Sequence, residues 1–263
     1  MTYTIYNSQK EYINSLVKDN LREDKRKFDE YRNISVEVNT LSQANGSARV
    51  KLGNTEVIVG VKLSVGTPFP DSEAEGILIV NAELSPLASD KFETGPPSPA
   101  AIELSRVIDR AIRESGTIDT SKLCIKAKEK VWIVFVDIYP INDDGNLFDA
   151  GLIGAIVALK NAKLPKYDIK EEKVDHRELT KNKLPIVDEP ILCTFAKIGG
   201  ELLIDPTSRE EEVMSCRLSV AINKKGNVCD MQKGGEGTLN DTEIMEMIDR
   251  AKKLATTVRK EIA

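Results

Sequence analysis

Alternating apolar and polar positions in SARVKLGNTEVIVGVKL predict two strands around a tight turn at Gly53 and Asn54. GILIVNAELSPLA predicts a third, almost continuously apolar strand, and the proline-rich FETGPPSPA after it reads as a loop. Ser98 is placed to cap the next helix, with Pro99 as its first residue. In that helix, AIELSRVIDRAIRES, Leu104, Val107, Ile108, Ala111 and Ile112 fall on one face and Arg106, Arg110 and Arg113 on the opposite one. KLCIKAKEKVWIVFVDIYPIND supplies two further strands, and AGLIGAIVALKNA is a helix apolar nearly all round, hence buried. Upstream, YINSLVKDNLRED is an amphipathic helix candidate with Tyr12, Leu16 and Val17 spaced for one face.

The segment 163–188 is rich in lysine, glutamate and proline without clear periodicity, and reads as a linker or surface excursion. Beyond it the pattern recurs. ILCTFAKI, GGELLIDP, MSCRLSVAIN and GNVCDMQK form strands around turns at Gly199-Gly200 and Lys225-Gly226, and a last helix runs over 241–262 with Asn240 or Asp241 as cap. Two β-rich units, each closing on a helix, suggest an internal structural duplication of α+β type. The expected division is an N-terminal helical segment at 1–30, a first β-α unit at 31–165, a linker at 166–188 and a second β-α unit at 189–263.

Composition narrows the chemistry. The chain has 263 residues, 41% hydrophobic and 30% charged, which is ordinary for a soluble globular protein, and no stretch approaches the roughly 20 apolar residues of a membrane span. The N-terminus lacks an apolar segment behind a basic start, so a cytoplasmic location is expected and no membrane partner. Cys124, Cys193, Cys216 and Cys229 lie far apart and read as small buried hydrophobes rather than a zinc or disulfide set. The single histidine, His176, lies in the charged stretch KEEKVDHRELTKNK, which argues against a histidine-based nucleophilic scheme. A net charge of -5 argues against broad nonspecific binding of polyanions, so three aligned arginines need an explanation. The plain one is a salt-bridged surface helix, because Glu103, Asp109 and Glu114 lie three or four positions from arginines. Asp143, Asp144 and Asp149, and Asp205 with Glu210, Glu211 and Glu212, could in principle gather a cation, but acids at turns and helix starts serve equally as caps, and no metal or other cofactor is expected. GGEG at 234–237 is neither a Walker loop nor a strand-to-helix dinucleotide fingerprint, and reads as a turn.

RVIDRAIRES after a GPP loop, VWIVFVDIYPINDDGNLFDAGLIGAIVAL, ELLIDPTSREEE and CDMQKGGEGTL together resemble the RNase PH family over nearly the whole chain, closest to the catalytically silent kind of archaeal exosome core subunit. The resemblance implies an RNase PH-like fold of two related β-α units and an alternating six-membered ring with an active RNase PH-like subunit. It also implies RNA-binding cap subunits and single-stranded RNA as partners. Active members degrade RNA from the 3′ end with inorganic phosphate as the attacking group, which needs phosphate-binding donors, arginines on the RNA backbone and an acid near the leaving oxygen.

Against that pattern, the phosphate-binding turn of active members is matched here by Gly145, Asn146, Leu147 and Phe148, and neither Leu147 nor Phe148 can bind phosphate through its side chain. The strand that carries the family's acid is matched by Arg217-Leu218-Ser219-Val220-Ala221, and a guanidinium with a pKa above about 12 is no general acid at neutral pH. The expectation is a non-catalytic subunit that completes its neighbour's site, with Arg106 and Arg110 matching the family's RNA-contacting positions and Arg113 beside them. Two rivals stay open: an active phosphorolytic exonuclease using Asp205 or Glu210 to Glu212, and a structural RNA-associated protein without a ring partner.

Overall fold

Valine and leucine at every second position of Thr55–Gly66 organise the first sheet: Val57, Val59, Val61 and Leu63 are fully buried, while Glu56, Ile58, Gly60 and Lys62 lie half-buried on the other face. In a computed structural model describing residues 2–168 and 172–262, this strand, β3, pairs antiparallel with β2 (Gly46–Leu52) through a turn in which Gly53 takes a positive φ of 59°. The sheet order is β1 (Ile34–Val38), β2, β3, β6 (Lys130–Asn142), β4 (Ile77–Ala82), with the short β5 (Cys124–Lys126) pairing the start of β6. Only β4 runs parallel to its neighbour in this sheet.

The second sheet has the order β10 (Glu201–Ile204), β9 (Ile191–Ile198), β11 (Cys216–Ile222), β12 (Val228–Gly234), all antiparallel. Three helices decide how the sheets meet. α2 (Pro99–Glu114) packs on β4 and reaches β12, α3 (Leu147–Asn161) packs on β2 and β3 and also on β9, and α5 (Asp241–Glu261) lies on β9 and β11. α3 therefore sits between the two sheets, which is why Leu152, Ile153, Ile156 and Leu159 are all fully buried. Each such side chain contributes about 1.5–3 kcal/mol of burial. Close approach is possible because Gly154 faces Val59, where a Cβ would come within 2.6 Å of a methyl carbon. The resulting core runs without interruption from Val50 through Leu152 to Phe195, Val220 and Ala251.

Several expectations need correction. The N-terminal helix, α1 (Thr2–Lys18), ends before Asn20 and buries Ile13 and Val17, whereas Tyr12 is 48% exposed. It is not a separate segment, since Ile13 and Val17 pack with Ala196, Ile198 and Leu203 of the second sheet and Val213 of the short α4 (Ser208–Val213). Most of the expected linker at 166–188 belongs to an antiparallel ribbon of β7 (Lys163–Asp168) and β8 (Lys173–Lys183), with Trp132 meeting Tyr167 edge to face at 6.0 Å. His176 lies exposed on β8. The strand β1 and the helix α4 have no counterpart in the sequence reading, and the buried helix starts at Leu147 rather than at Ala150. Of the cysteines, Cys193 and Cys216 are buried and Cys124 and Cys229 only partly so.

Candidate nucleic-acid interface and the adjoining pocket

α2 begins where its sequence requires. Ser98 is extended (φ -69°, ψ 160°) and its hydroxyl accepts from the Ala101 amide, with Pro99 next in the first turn. Ala101, Leu104, Val107, Ile108, Ala111 and Ile112 are buried, which turns the arginines outward. Those arginines are not equivalent. Arg106 is exposed and has no hydrogen bond or ion pair among the described residues. Arg110, with its side chain 40% exposed, pairs with Asp230 at 2.8 Å and donates from Nη2 to Gln232 Oε1 at 3.0 Å, both on β12. Arg113 takes the salt-bridged surface role, with Asp109 one turn back at 2.8 Å and the Leu78 carbonyl at 3.2 Å.

Behind the helix lies the turn matched to the family's phosphate site. Gly145 has a φ of 83°, and a Cβ there would lie 2.5 Å from the Ser208 amide nitrogen, so only glycine fits. Asn146 is left-handed (φ 59°) and fully buried. Two of the turn's four amides are taken by the chain's own acids: Gly145 N–H donates to Asp143 Oδ1 at 3.1 Å and Asn146 N–H to Glu211 Oε1 at 2.8 Å. The two amides that lead into α3 thus face internal carboxylates rather than an external anion.

Next to this turn is a pocket of about 200 Å³ lined by Leu84, Phe92, Leu147, Phe148, Glu211 and Arg217, among others. Arg217, its side chain only 8% exposed, pairs with Glu103 of α2 at 2.7 Å and stacks its guanidinium 4.3 Å from the centre of the Phe148 ring. Its Nη1 has no partner among the described residues. Loss of hydration pushes the Glu211 carboxyl up to about 7, although part of the residue's surface reaches solvent, and burial raises Asp143 as well. A larger cleft of about 660 Å³ runs between residues 29–34 and α5.

The remaining acids form a buried junction between the two units. Asp205, in a left-handed conformation (φ 51°), accepts from Arg32 Nη2 at 2.7 Å, Arg32 Nε at 2.9 Å, Arg26 Nη1 at 3.0 Å and Asn146 Nδ2 at 2.7 Å. Burial opposes its charge, yet Arg32 and Arg26 hold its carboxyl below the usual range. Asp149 accepts from Asn146, Tyr31 and both the amide and the hydroxyl of Thr194 at 2.7–3.1 Å, and burial pushes it up to about 7 against those hydrogen bonds. Glu210 receives a two-pronged contact from Arg22 at 2.6 and 2.9 Å and closes a capping box with Thr207. Asp205 and Glu210 are therefore internally engaged, and neither reaches a substrate-sized opening. Asp144 accepts from Ser208 and Asn54, and Glu212 pairs with Gln9 and Lys91. Among the described residues no three or more acids, cysteines or histidines converge as a metal site. The arginine partners Arg22, Arg26 and Arg32 were not found by sequence reasoning. A cluster of cations within eleven positions of an acidic chain was the available signal.

Residues 30–165 match domain 1 of the 3′ exoribonuclease (RNase PH) family, and residues 188–253 match its domain 2. The chain belongs to this family. As an RNase PH protein it is 48% identical over 256 residues to the exosome complex component Rrp42 of Methanocella arvoryzae, covering 97% of this chain and 95% of that relative. It is 49% identical over 241 residues to the Rrp42 of Methanopyrus kandleri, covering 92% and 90% of the two chains. Its fold superposes with a TM-score of 0.92 on a chain of the Archaeoglobus fulgidus exosome with RNA bound to the active site, at 43% identity over 99% of this chain and 100% of that one. The α+β architecture and the family resemblance read from the sequence are those of the RNase PH fold.

Proposed function

We propose that this chain is a non-catalytic core subunit of a ring-shaped 3′-to-5′ phosphorolytic exoribonuclease of the exosome type, alternating with an active RNase PH-like subunit and contributing arginines to the RNA path. The likeness to Rrp42 chains and to an RNA-bound archaeal exosome supports the assembly and the substrate class. The observation that carries the silent role is the pairing of the Gly145 and Asn146 amides with Asp143 and Glu211, beside Leu147, Phe148 and Arg217. Phosphate approaching this turn meets two carboxylates and two apolar side chains, and the one buried cation there is paired to Glu103. Phosphorolysis needs the reverse: donors around the attacking phosphate and an acid near the leaving oxygen.

Arg106 and Arg110 are the residues assigned to the RNA backbone, and Arg113 is assigned there only as a flanking charge. Leu41, Ile79 and Tyr139 stay exposed on or beside the outer face of the first sheet, where apolar surface of this kind suits contact with a ring neighbour. Cap subunits that bind RNA would complete the assembly.

The test compares the chain alone, the chain mixed with an active archaeal subunit, and the active subunit alone, each given single-stranded RNA, phosphate and Mg²⁺. The expected result is no release of nucleoside diphosphates by the isolated chain, a hexameric mass for the mixture, and greater activity in the mixture than in either part. Turnover by the purified chain alone overturns the silent role. A mixture that stays dissociated at micromolar concentration overturns the ring.

A further inference from the structure

Resting on that assignment of Arg110 to RNA, we propose that Arg217 is a positioning residue that sets the arginine face of α2 through a continuous polar relay. The residue at the degenerate acid position is thereby tied to the helix assigned to RNA. The relay can be followed atom by atom. The Arg217 guanidinium, backed by the Phe148 ring at 4.3 Å, holds Glu103 Oε1 at 2.7 Å. The same oxygen accepts from Gln232 Nε2 at 3.3 Å. The other end of that amide, Gln232 Oε1, accepts from Arg110 Nη2 at 3.0 Å, and Asp230 holds the same nitrogen at 2.8 Å.

Only one orientation of the Gln232 amide satisfies both neighbours, because Glu103 offers nothing but an acceptor and Arg110 nothing but donors. The relay is therefore directional, and it alternates between elements: α3, β11, α2, β12, then α2 again. All restraint falls on Arg110 Nη2, while Nη1 makes no hydrogen bond among the described residues and is left for a phosphate oxygen. A guanidinium presented in this way loses less freedom on binding than one on a free side chain. Arg106, without such a tether, provides the internal contrast.

Gly234 supplies a second handle. It sits under the guanidinium, where a Cβ would lie 2.7 Å from Arg217 Cζ and 2.9 Å from Nε and Nη2. Gly234 is not among the positive-φ glycines, so alanine is tolerated by the backbone there and displaces the end of the Arg217 side chain. Arg217→Met removes the cation at similar length, and Gly234→Ala moves it without changing any charge.

The experiment uses the ring reconstituted with its active subunit and measures KM and kcat for single-stranded RNA. Arg217→Met and Gly234→Ala should each raise KM about 2- to 10-fold, the range of one net hydrogen bond, with kcat within about twofold of the unsubstituted ring. In an Arg110→Ala background, both effects should vanish, because the relay then has nothing to position. Arg217→Lys, which keeps the ion pair with Glu103 but not the flat stacking surface, should recover part of the loss. An unchanged KM in both variants, or a full effect that persists without Arg110, overturns the proposal. If Arg217→Met fails to assemble, Gly234→Ala decides by the same two criteria. Arg110→Ala without effect on KM sinks the RNA assignment and this proposal together, whereas an effect of Arg110→Ala with silent Arg217→Met and Gly234→Ala sinks the relay alone.

Discussion

Two groups of arginines in this chain meet opposite fates. Arg22, Arg26 and Arg32 lie inside, each bonded to buried carboxylates and to backbone carbonyls, so that Asp205 alone receives contacts from two of them. Arg106, Arg110 and Arg113 lie on α2 facing outward, and their partners run from none among the described residues, through residues of β12, to Asp109 one turn away and the Leu78 carbonyl. The internal group stitches the N-terminal stretch to the junction of the two units, where, Asn146 Oδ1 aside, donors and acceptors are largely matched. The external group keeps unfilled donors. Among cations of one type, the number of hydrogen bonds left open, rather than charge or spacing, separates the scaffold arginines from those proposed to meet RNA.

The internal group should be the costlier to break. Asp205→Asn preserves shape and suits the left-handed backbone, but it removes the charge that Arg26 and Arg32 surround. Leaving cations buried without their counter-ion costs about 3–5 kcal/mol. The expected outcome is a lower denaturant midpoint with an unchanged slope, read by equilibrium unfolding at pH 7. A loss below about 1 kcal/mol would mean that this junction is far wetter than its burial indicates.

A second test separates the two acids within the same junction. The carboxyl of Asp205 is held below its ordinary range, so its stabilisation is present above about pH 4 and is lost as the pH falls through its folded value. Asp149 is pushed up to about 7, so between pH 4 and 7 the folded chain binds more protons than the unfolded chain and stability falls as pH rises. Asp149→Asn should remove that fall. The amide oxygen can accept from Tyr31, Asn146 and the Thr194 amide, while the amide nitrogen donates to the Thr194 hydroxyl, which turns toward Ser219. At pH 4 the variant should match the native chain, and at pH 8 it should be more stable by up to about 4 kcal/mol. Melting curves at the two pH values check this, and equal differences at both would place the Asp149 titration outside the window.

What the sequence made legible divides along the same line. The face of α2, its Ser98 cap and Pro99 start, and the strands of both sheets follow from periodicity and local chemistry, which act within a few residues. β1 escaped because its ISVEV, although it alternates apolar and polar positions, is only five residues long. The ribbon of β7 and β8 escaped because its strands carry lysine and glutamate instead of an apolar face. The arginine trio was legible as a face, but not its division into free, tethered and salt-bridged members: Gln232, which holds Arg110, lies 122 residues away. The junction acids were noticed and kept as a rival reading for catalysis, but their partners were not, since these are equally remote: Arg32 lies 173 residues from Asp205.

The external group should show a smaller and graded response. Arg110→Ala leaves Asp230, whose carboxyl is mostly buried, without its cation, so a loss of about 1–2 kcal/mol in stability should accompany weaker RNA binding by the reconstituted ring. Asp230→Asn should recover part of the stability and none of the RNA affinity. If it recovers both, Arg110 serves β12 and not RNA.

Arg106→Ala should give the smallest change in stability and the cleanest change in function. No partner among the described residues depends on this guanidinium, and exposed substitutions of that kind stay within about ±0.5 kcal/mol. If it neutralises one phosphate of a single strand, the slope of log affinity against log salt should flatten by about 0.7, with the loss largest at low salt. Arg106→Glu should weaken binding further, because repulsion adds to the lost attraction, and should leave the melting temperature nearly as it was. Arg113→Ala is the matched control on the same face: its charge is already countered by Asp109, so its salt slope should change less than that of Arg106→Ala. RNA titrations of the ring at two salt concentrations, with melting curves on the same samples, separate the three positions. Identical slopes for Arg106→Ala, Arg113→Ala and the native chain would return the whole face of α2 to solvated surface, and the difference between the inner and outer arginines would then be one of burial alone.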